Sequence, residues 1–334
     1  MLKRVQQRLH SMLRSPRSDS GLIVSFVVIV YDMPRQAENT ARSLLTDYQV
    51  DANAADYEVV IVENESGNHM DPEFIRSLPD NFSYHLRKET EPTPIHAINY
   101  GIEQSKGENV CVMIDGARVL TPGIVKHTIL GHRLSDLAVV TVPGYHLGHE
   151  LQQKAVGSGY DENTERALME SISWPEEGYR LFDIACFSGS CAAGFYLPHS
   201  ESNCISMPRR IWDDLGGYDA RFNMRGGGVV NLDLFKRACE YPGAVHVFLH
   251  GEGTFHQFHG GVTTGGEDAE KRQRFIEAIM AQYEEIRGCK YQSPATEPIY
   301  LGELSDHALK FVSVSSAKKM ERLGETPEPH RISA

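Results

Sequence analysis

Residues 97–123 read A-I-N-Y-G-I-E-Q-S-K-G-E-N-V-C-V-M-I-D-G-A-R-V-L-T-P-G. This stretch predicts a helix, a tight turn at Lys106 and Gly107, and a buried strand over Asn109–Ile114. A strand this apolar belongs in a sheet that is covered on both faces. Such sheets bind their ligands beyond the carboxyl ends of the strands. The pattern therefore places Asp115 at the mouth of a cleft, and Gly116 beside it lets a ligand approach the backbone closely.

Strands and helices alternate on both sides of this stretch, from residue 21 to residue 145. Predicted strands cover Gly21–Tyr31, Tyr57–Glu63, Phe82–Leu86 and Leu137–Val142, and predicted helices cover Arg35–Tyr48 and 124–134. This alternation is typical of a parallel α/β sheet. We therefore expect the α/β fold class.

The second half of the chain has a less regular pattern. The segment Gly148–Trp174 is polar and helical, and Phe182–Pro198 is rich in small residues, which suits a backbone packed close to a ligand or another strand. Further on, the sequence predicts strands over Cys204–Met207 and His246–Leu249, helices over Arg209–Leu215, Val229–Cys239 and Asp268–Arg287, and a loop rich in Gly and His over His250–Gly266.

Composition and charge narrow the class of protein. The 334 residues suffice for one large core, and the formal net charge of −12 argues against non-specific nucleic-acid binding. The longest apolar run, Leu22–Tyr31, is strand-sized, so we expect no transmembrane helix. We expect no secretory signal, because no small-residue cleavage site follows a short apolar stretch. The six Cys are scattered, which fits reduced thiols in a cytoplasmic enzyme.

The first 20 residues form a basic N-terminal extension. Leu2, Val5, Leu9 and Met12 fall at helical spacing among Lys and Arg residues. One interpretation is a helix that makes weak contact, through residues 1–17, with an anionic membrane surface at the inner membrane face. The other, which we favour because the apolar face is narrow, is a frayed and solvated extension.

Five segments in this order resemble the family 2-like glycosyltransferases with the GT-A nucleotide-sugar fold. They are V-V-I-V-Y-D-M-P, V-V-I-V-E-N-E-S, A-I-N-Y-G-I-E-Q-S-K-G-E-N-V-C-V-M-I-D, I-S-M-P-R-R-I-W-D-D-L-G-G-Y-D and R-G-G-G-V-V-N-L-D-L-F-K-R, and they span residues 22–260. The resemblance implies a GT-A Rossmann-like, mixed but mostly parallel sheet with helices on both faces. It also implies a GT-A domain over residues 21–265, with a nucleotide-binding half (21–145) and an acceptor half (146–265), and a C-terminal helix and tail over 266–334.

The resemblance implies that four residues bind the donor nucleotide. Tyr31 and Asp32 at the end of the first strand and Glu63 at the end of the second would hold the base and ribose. A carboxylate that accepts hydrogen bonds from ribose hydroxyls suits this role, although a strand-end turn acid is the alternative for these positions. Asn99 matches the Asn of the family's N-x-G helix, and its alternative role is helix packing.

The family's D-x-D motif binds a divalent metal on the donor diphosphate, and the sequence departs from it. Asp115 is the first acid, but Ala117 stands at the second position and Arg118 follows. One carboxylate is a poor Mn²⁺ or Mg²⁺ site. Either His256 or His259 of the His-rich loop completes the site, or the Arg118 guanidinium takes over the role of the metal. We favour a metal site of Asp115, His256 and His259, with Gly116 and Arg118 beside the diphosphate.

The second departure concerns the general base. Inverting members carry an E-D pair before x-D-L, but alignment on Asp233 puts Val230 and Asn231 there. Candidates for the catalytic group are Asn231, Asp233 and Asp219, with Glu252 as a further acid. Some retaining members carry Asn near this position and use no protein base, so the stereochemistry stays open.

Together these features predict a cytoplasmic glycosyltransferase. It would move a sugar from a UDP- or GDP-sugar to a hydroxyl acceptor, in glycan or polysaccharide synthesis, with no nucleic-acid partner. The alternative is a catalytically degenerate GT-A domain that binds a nucleotide sugar or acts as a scaffold, which Ala117, Val230 and Asn231 favour. A nucleotidyltransferase is less consistent, because Asp32-Met33-Pro34 stands where a Gly-rich phosphate loop would follow the first strand.

Overall fold

The computed structural model describes residues 21–89, 91–259 and 269–325. The basic extension 1–20, most of the loop after His259 and the end of the tail lie outside the described residues. The strands are β1 (Val24–Val30), β2 (Tyr57–Asn64), β3 (Phe82–Arg87), β4 (Asn109–Met113), β5 (Arg118–Leu120), β6 (Ala138–Thr141), β7 (Gly144–Leu147), β8 (Ala185–Phe187), β9 (Cys204–Pro208), β10 (Val245–Leu249), β11 (Thr254–His256) and β12 (Ile299–Leu301).

All but the last of the described helices fall between these strands, and the last follows β12. They are α1 (Pro34–Arg42), α2 (Pro72–Ser77), α3 (Ile95–Gln104), α4 (Ile124–His132), α5 (Gln152–Ala155), α6 (Glu162–Ser171), α7 (Arg209–Leu215), α8 (Val230–Cys239), α9 (Ala269–Arg287) and α10 (Leu309–Leu323). Short 3₁₀ turns add to them. Among the described residues, none of these helices combines the length and apolarity that crossing a membrane requires.

The main sheet confirms the predicted fold class. Its eight described strands lie in the order β12-β10-β6-β9-β4-β1-β2-β3. All neighbouring pairs are parallel except those of β9, which runs antiparallel to both β4 and β6. The sheet is therefore mixed and mostly parallel. Because β9 is reversed, the residues before β9 lie at the same edge as the residues that follow β4 and β6.

Helices cover both faces of this sheet. All seven residues of β1 are buried, and alternate residues point into different layers. Phe26 and Val28 pack with α1 and α4 in one layer, whereas Val27 and Ile29 pack with α3, α7 and α8 in the other. The apolar pattern of the first strand thus reflects burial on two sides, as predicted.

A second sheet of four described strands, in the order β5-β11-β7-β8, was not predicted from the sequence. Its strand β11 lies inside the segment 250–266, where the sequence predicted a loop. That prediction was wrong for Thr254–His256 because three residues are too few to show a strand period, and because the partners β5 and β7 are distant in sequence. The register pairs His256 with Arg118 on β5 and with His146 on β7.

An aromatic cluster fixes the small sheet to the C-terminal part of the chain. The ring of Tyr145 on β7 stacks on Phe255 of β11 with a centroid distance of 4.9 Å, and Phe311 of α10 meets it edge-on at 4.8 Å. All three side chains are buried. This packing holds β11, and with it His256, in place against the edge of the main sheet.

Candidate functional site

A cavity of about 920 Å³ opens at the carboxyl ends of the main-sheet strands. Tyr31 and Asp32 after β1, Asn64 at the end of β2, and Asp115 after β4 line it. An apolar part of the lining comes from α9 and the start of α8, with Val229 just before α8, and with Val230, Phe275, Ile276 and Ile279. The cavity lies where the sequence placed a ligand cleft, at the strand ends of a covered α/β sheet.

Three predicted metal ligands meet at one point of this cavity. Asp115 Oδ2 lies 3.0 Å from His256 Nε2, and Asp115 Oδ1 lies 3.8 Å from His259 Nε2. The two imidazole Nε2 atoms are 3.1 Å apart. Together with Arg118 we call these residues the Asp115 cluster. Its carboxylate follows β4 and its histidines come from β11 and the residues after it, so the two sheets build it jointly.

Hydrogen bonds to Gln152 set the orientation of His256. The amide Nε2 of Gln152 donates to the His256 carbonyl at 2.9 Å, which leaves its Oε1 as an acceptor 2.6 Å from His256 Nδ1. His256 therefore carries its proton on Nδ1, and the lone pair of Nε2 faces the carboxylate of Asp115. Gln152 is fully buried, so this arrangement is rigid.

Two acceptors that face each other at 3.0 Å need a cation between them. A proton on His256 is disfavoured, because burial lowers the pKa of His256 to about 4 despite the nearby carboxylate of Asp115. Burial would raise the pKa of Asp115, but the imidazoles of His256 and His259 outweigh it and hold this pKa well below its ordinary value. Burial would lower the pKa of His259, but the carboxylate of Asp115 outweighs it and raises this pKa above its ordinary value. The ionised carboxylate of Asp115 therefore faces the lone pair of His256 Nε2 on one side and an imidazole that binds a proton more readily, His259, on the other.

The donor set fits a divalent metal ion. Ligand atoms at ~2.1 Å from such an ion lie roughly 3 Å apart when they occupy neighbouring corners of an octahedron. The contacts of 3.0 Å and 3.1 Å match this spacing. Two imidazoles and one carboxylate suit Mn²⁺ and similar ions, with further positions left for a ligand or water. Ala117, the missing second acid, is fully buried in the core of the main sheet.

Glu165 fixes the turn that carries His259. Its carboxylate accepts a hydrogen bond from the backbone N–H of Phe258 at 2.6 Å and pairs with Arg35 Nη2 at 3.0 Å. Glu165 is fully buried on α6. Although burial raises the pKa of Glu165, its bonds to Phe258 and Arg35 favour the ionised form. No motif in the sequence indicates a role for Glu165 or Gln152 at this site.

Arg118 provides positive charge beside the proposed metal ligands. Its side chain lines the cavity and is 5% exposed, with Nε 3.8 Å from Asp115 Oδ2. Among the described residues, neither Nε nor Nη1 of Arg118 has a hydrogen-bond partner. Buried guanidinium N–H groups without an acceptor are unfavourable, and a phosphate oxygen would satisfy them. The arrangement therefore places residues that could hold a metal ion beside a guanidinium that could hold an anion.

Of the residues predicted to hold the base and ribose, two line the cavity and one is buried. Tyr31 and Asp32 line the cavity, and Asp32 accepts a hydrogen bond from Asn68 at 2.8 Å. Glu63 is fully buried beneath the rim, where it accepts from Tyr84 Oη at 2.5 Å. The next two residues along the chain, Asn64 and Glu65, line the cavity instead.

Asn99 and Gly116 have packing partners. Asn99 donates to the carbonyl of Tyr218 and accepts from its N–H, both at 3.0 Å, which is the helix-packing alternative. A Cβ on Gly116 would lie 2.5 Å from the carbonyl oxygen of Ile29 on β1. Close packing against β1 is therefore sufficient reason for a glycine at this position.

The predicted catalytic acids Asp219 and Asp233 lie in a second group of charges, the Arg287 cluster. Arg287 forms a bidentate pair with Asp233 at 2.6 Å and 2.7 Å and also reaches Asp219 at 2.8 Å. Arg237 adds a bond of 2.8 Å to Asp233, and Arg221 one of 2.6 Å to Asp219. Both acids lie outside the described lining of the cavity. Glu252 is fully buried and bonded to Thr121, Tyr179 and His127.

Asn231 is the predicted catalytic residue that lines the cavity. Its Nδ2 donates to Glu201 Oε2 at 3.0 Å and to Asn203 Oδ1 at 3.3 Å. Glu201 and Asn203 line the same cavity and were missed from the sequence. They precede β9, and only the antiparallel direction of β9 brings them to this edge. The sequence predicted that strand but carried no signal for its direction.

The chain is similar to several solved structures. No protein-family model matches the sequence, and no curated protein matches it. TarS 1-349 from S. aureus matches over 90% of this chain and 72% of its own, with 12% identity and a TM-score of 0.45. The same protein in complex with UDP-GlcNAc matches over 90% and 73%, with 12% identity and a TM-score of 0.47.

A mannosyltransferase from Pyrobaculum calidifontis, PcManGT, in complex with GDP-Man and Mn²⁺, matches over 94% of this chain and 76% of its own. Its identity is 12% and its TM-score is 0.47.

Proposed function

We propose that this protein is a glycosyltransferase that moves a sugar from a UDP- or GDP-sugar to a hydroxyl acceptor. The observation that carries the proposal is the Asp115 cluster, in which a carboxylate, two imidazoles and an unsatisfied guanidinium converge at the carboxyl edge of an α/β sheet. This combination suits a diphosphate with its metal ion better than it suits an uncharged ligand.

Asp115, His256 and His259 would hold the divalent cation, with Mn²⁺ or Mg²⁺ as candidates. When bound, the cation stabilises the negative charge that develops on the departing phosphate. Arg118 adds charge-assisted hydrogen bonds to the same oxygens, and its burial strengthens them because little water competes. Gln152 and Glu165 hold the histidines in the orientation that this binding requires.

The remaining parts of the cavity suit the rest of the donor and the acceptor. Tyr31, Asp32, Asn64 and Glu65 surround the strand ends where the base and ribose would lie, in the proposed nucleotide-binding half. The apolar wall from α9 and the segment before α8 borders the proposed acceptor half. The role in glycan or polysaccharide synthesis, and the cytoplasmic location, stay predictions.

Isothermal titration with UDP and GDP, each with and without Mn²⁺, tests the proposal. We expect one of the nucleotides to bind in the presence of Mn²⁺ and to bind at least tenfold more weakly after EDTA treatment. The control is the same titration with AMP, which lacks the diphosphate. Failure of both UDP and GDP to bind would contradict the proposed function.

The second candidate function is a nucleotide-sugar-binding module without catalysis. Asn231, which cannot accept a proton at the position where inverting relatives carry Asp, favours it. Incubation of the protein with a UDP-sugar that it binds, followed by analysis of the products, separates the two functions. Release of free sugar supports the transferase, and intact donor after prolonged incubation supports the module.

A further inference from the structure

We propose that Glu201 is the general base, the group that removes the proton from the attacking hydroxyl. This inference rests on the proposed glycosyltransferase function. Glu201 lines the cavity that contains the Asp115 cluster, so its carboxylate faces the same space as the proposed metal and phosphate site. It belongs to a segment that the sequence motifs do not cover.

The direction of β9 explains how Glu201 reaches this space. Cys204 on β9 pairs with Met113 on β4, two residues before Asp115, in the antiparallel register. The residues before Cys204 therefore continue past the end of β4 towards the edge where Asp115 lies. Glu201, three residues before the strand, stands on the rim beside the segment that follows β4.

A hydrogen bond ties Glu201 to the helix position where the resembled enzymes carry their base. Asn231 Nδ2 donates to Glu201 Oε2 at 3.0 Å. The bond leaves Glu201 Oε1 available for a second donor and fixes the orientation of the carboxylate. An Asp at position 231 would place two carboxylates in contact, and one of them would have to bind a proton. The amide at 231 thus donates to Glu201 without adding a second negative charge beside it.

The other acids considered for this role are occupied elsewhere. Asp219 and Asp233 are neutralised by three arginines of the Arg287 cluster, and Glu252 is enclosed in the interior. Of the acids that line the described part of the cavity, Glu201 is the one bonded to residue 231. In this chain the carboxylate is on Glu201, just before β9, and the neutral donor Asn231 stands at the helix position where the resembled enzymes carry their acid.

The reaction step balances with Glu201 in this role. The proton of the attacking hydroxyl passes to the Glu201 carboxylate, and the hydroxyl oxygen forms a bond to the anomeric carbon. The bond between that carbon and the phosphate oxygen breaks, and its electron pair stays on the nucleoside diphosphate. Attack from the side opposite the departing phosphate inverts the anomeric centre, so Glu201 as base implies an inverting enzyme.

Hydrolysis of the donor, with water as the acceptor, tests this assignment without knowledge of the natural acceptor. UDP-glucose, UDP-GlcNAc and GDP-mannose serve as probes with Mn²⁺, and binding of each is measured in parallel. We expect E201Q to lower the hydrolysis rate about 10²- to 10⁴-fold. Its affinity for the nucleotide should stay within about twofold, because Glu201 acts on the acceptor. E91Q is the matched control, since Glu91 lines the cavity but pairs with His96 at 3.3 Å.

The double variant E201Q/N231D separates loss of a base from loss of structure. It returns the carboxylate to the helix and keeps one charge and one amide in contact, so we expect it to recover at least tenfold over E201Q. Proton NMR of freshly released sugar should show the inverted anomer. Hydrolysis by E201Q within about threefold of the wild type, release of the retained anomer, or donor binding by the wild type without any hydrolysis would each overturn the assignment. Absence of nucleotide binding would instead defeat the proposed function itself.

Discussion

The Asp115 cluster and the Arg287 cluster both place guanidinium groups beside carboxylates, yet their hydrogen bonding differs. In the Arg287 cluster each carboxylate meets at least two guanidinium groups at 2.6–2.8 Å. In the Asp115 cluster an ionised carboxylate faces an imidazole lone pair, and two N–H groups of Arg118 have no described partner. The hydrogen bonding of the first cluster is complete in itself, whereas we propose that a cation and an anion complete the second.

Hydrogen-bond completeness separates structural from functional charges in this chain. A complete cluster holds elements together: Arg287 ends α9 and ties it to Asp233 on α8 and to Asp219 in the loop before it. A cluster on a cavity whose polar groups lack partners can form hydrogen bonds or metal bonds with a ligand. Removal of a residue from the first should lower stability, and removal from the second should lower binding and turnover.

The largest expected effect comes from Asp115→Ala. Loss of the only carboxylate ligand should abolish Mn²⁺ binding and lower donor hydrolysis at least ~10³-fold, which corresponds to about 4 kcal/mol. The melting temperature should change little, because Asp115 lies on the cavity. Mn²⁺ titration and thermal denaturation measure the two effects. Strong destabilisation would show that the Asp115 cluster is structural, like the Arg287 cluster.

Arg287→Met should have the opposite profile. Asp233 is 1% exposed, and removal of its bidentate partner leaves a buried carboxylate with Arg237 alone. Breaking a buried pair in this way lowers the free energy of unfolding by about 3 kcal/mol or more. Urea denaturation measures this loss, and Mn²⁺ affinity should stay unchanged. Arg221→Met is the matched control: its side chain is 62% exposed, so the loss should stay below about 1 kcal/mol.

Arg118→Met should lower nucleotide affinity by about 2 kcal/mol, or roughly 30-fold, because charge-assisted hydrogen bonds to the phosphates are lost. The free energy of unfolding should not fall, since the two unsatisfied N–H groups are removed with the guanidinium. Arg118→Lys should restore only part of the affinity, because an ammonium group cannot form a fork to two oxygens. Unchanged affinity for UDP and GDP would exclude Arg118 from the anion site.

Gln152→Leu should have the smallest effect of the four. Without its acceptor, the Nδ1 proton of His256 loses its anchor, and the imidazole can turn or change tautomer. Loss of such an orienting bond lowers metal affinity about tenfold. Gln152→Glu keeps the acceptor for Nδ1 but loses the donor to the His256 carbonyl, so it should retain more metal affinity than Gln152→Leu without reaching that of the wild type. Equal weakening in both variants would point to a general packing role.

The parts predicted from the sequence are those with a local signal. The apolar runs of β1, β2 and β4 predict a sheet that is covered on both faces. The end of β4 predicts that Asp115 lies at the mouth of a cleft. The incomplete metal motif indicates that further ligands are needed and points to His256 and His259, and the structure brings both to Asp115. The segment 250–266 shows the limit of this approach, since β11 inside it is defined by partners far away in sequence.

Residues that depend on topology could not be predicted. Glu201 reaches the cavity because β9 is antiparallel, and a four-residue apolar run has no direction. Gln152 and Glu165 act through single hydrogen bonds to β11 and to the residues after it, so no spacing in the sequence connects them to His256 or His259. Asn99 fits a family motif, but its two bonds to Tyr218 appear only in three dimensions.

Anomalous X-ray diffraction from crystals grown with Mn²⁺ and UDP or GDP would locate both ions of the proposed site in one experiment. We expect one strong manganese peak within ~2.3 Å of the ligand atoms of Asp115, His256 and His259. We also expect a diphosphate that bridges this peak and the guanidinium of Arg118. A bound nucleotide with no manganese between these three residues, or with its phosphates away from Arg118, would contradict the proposed site.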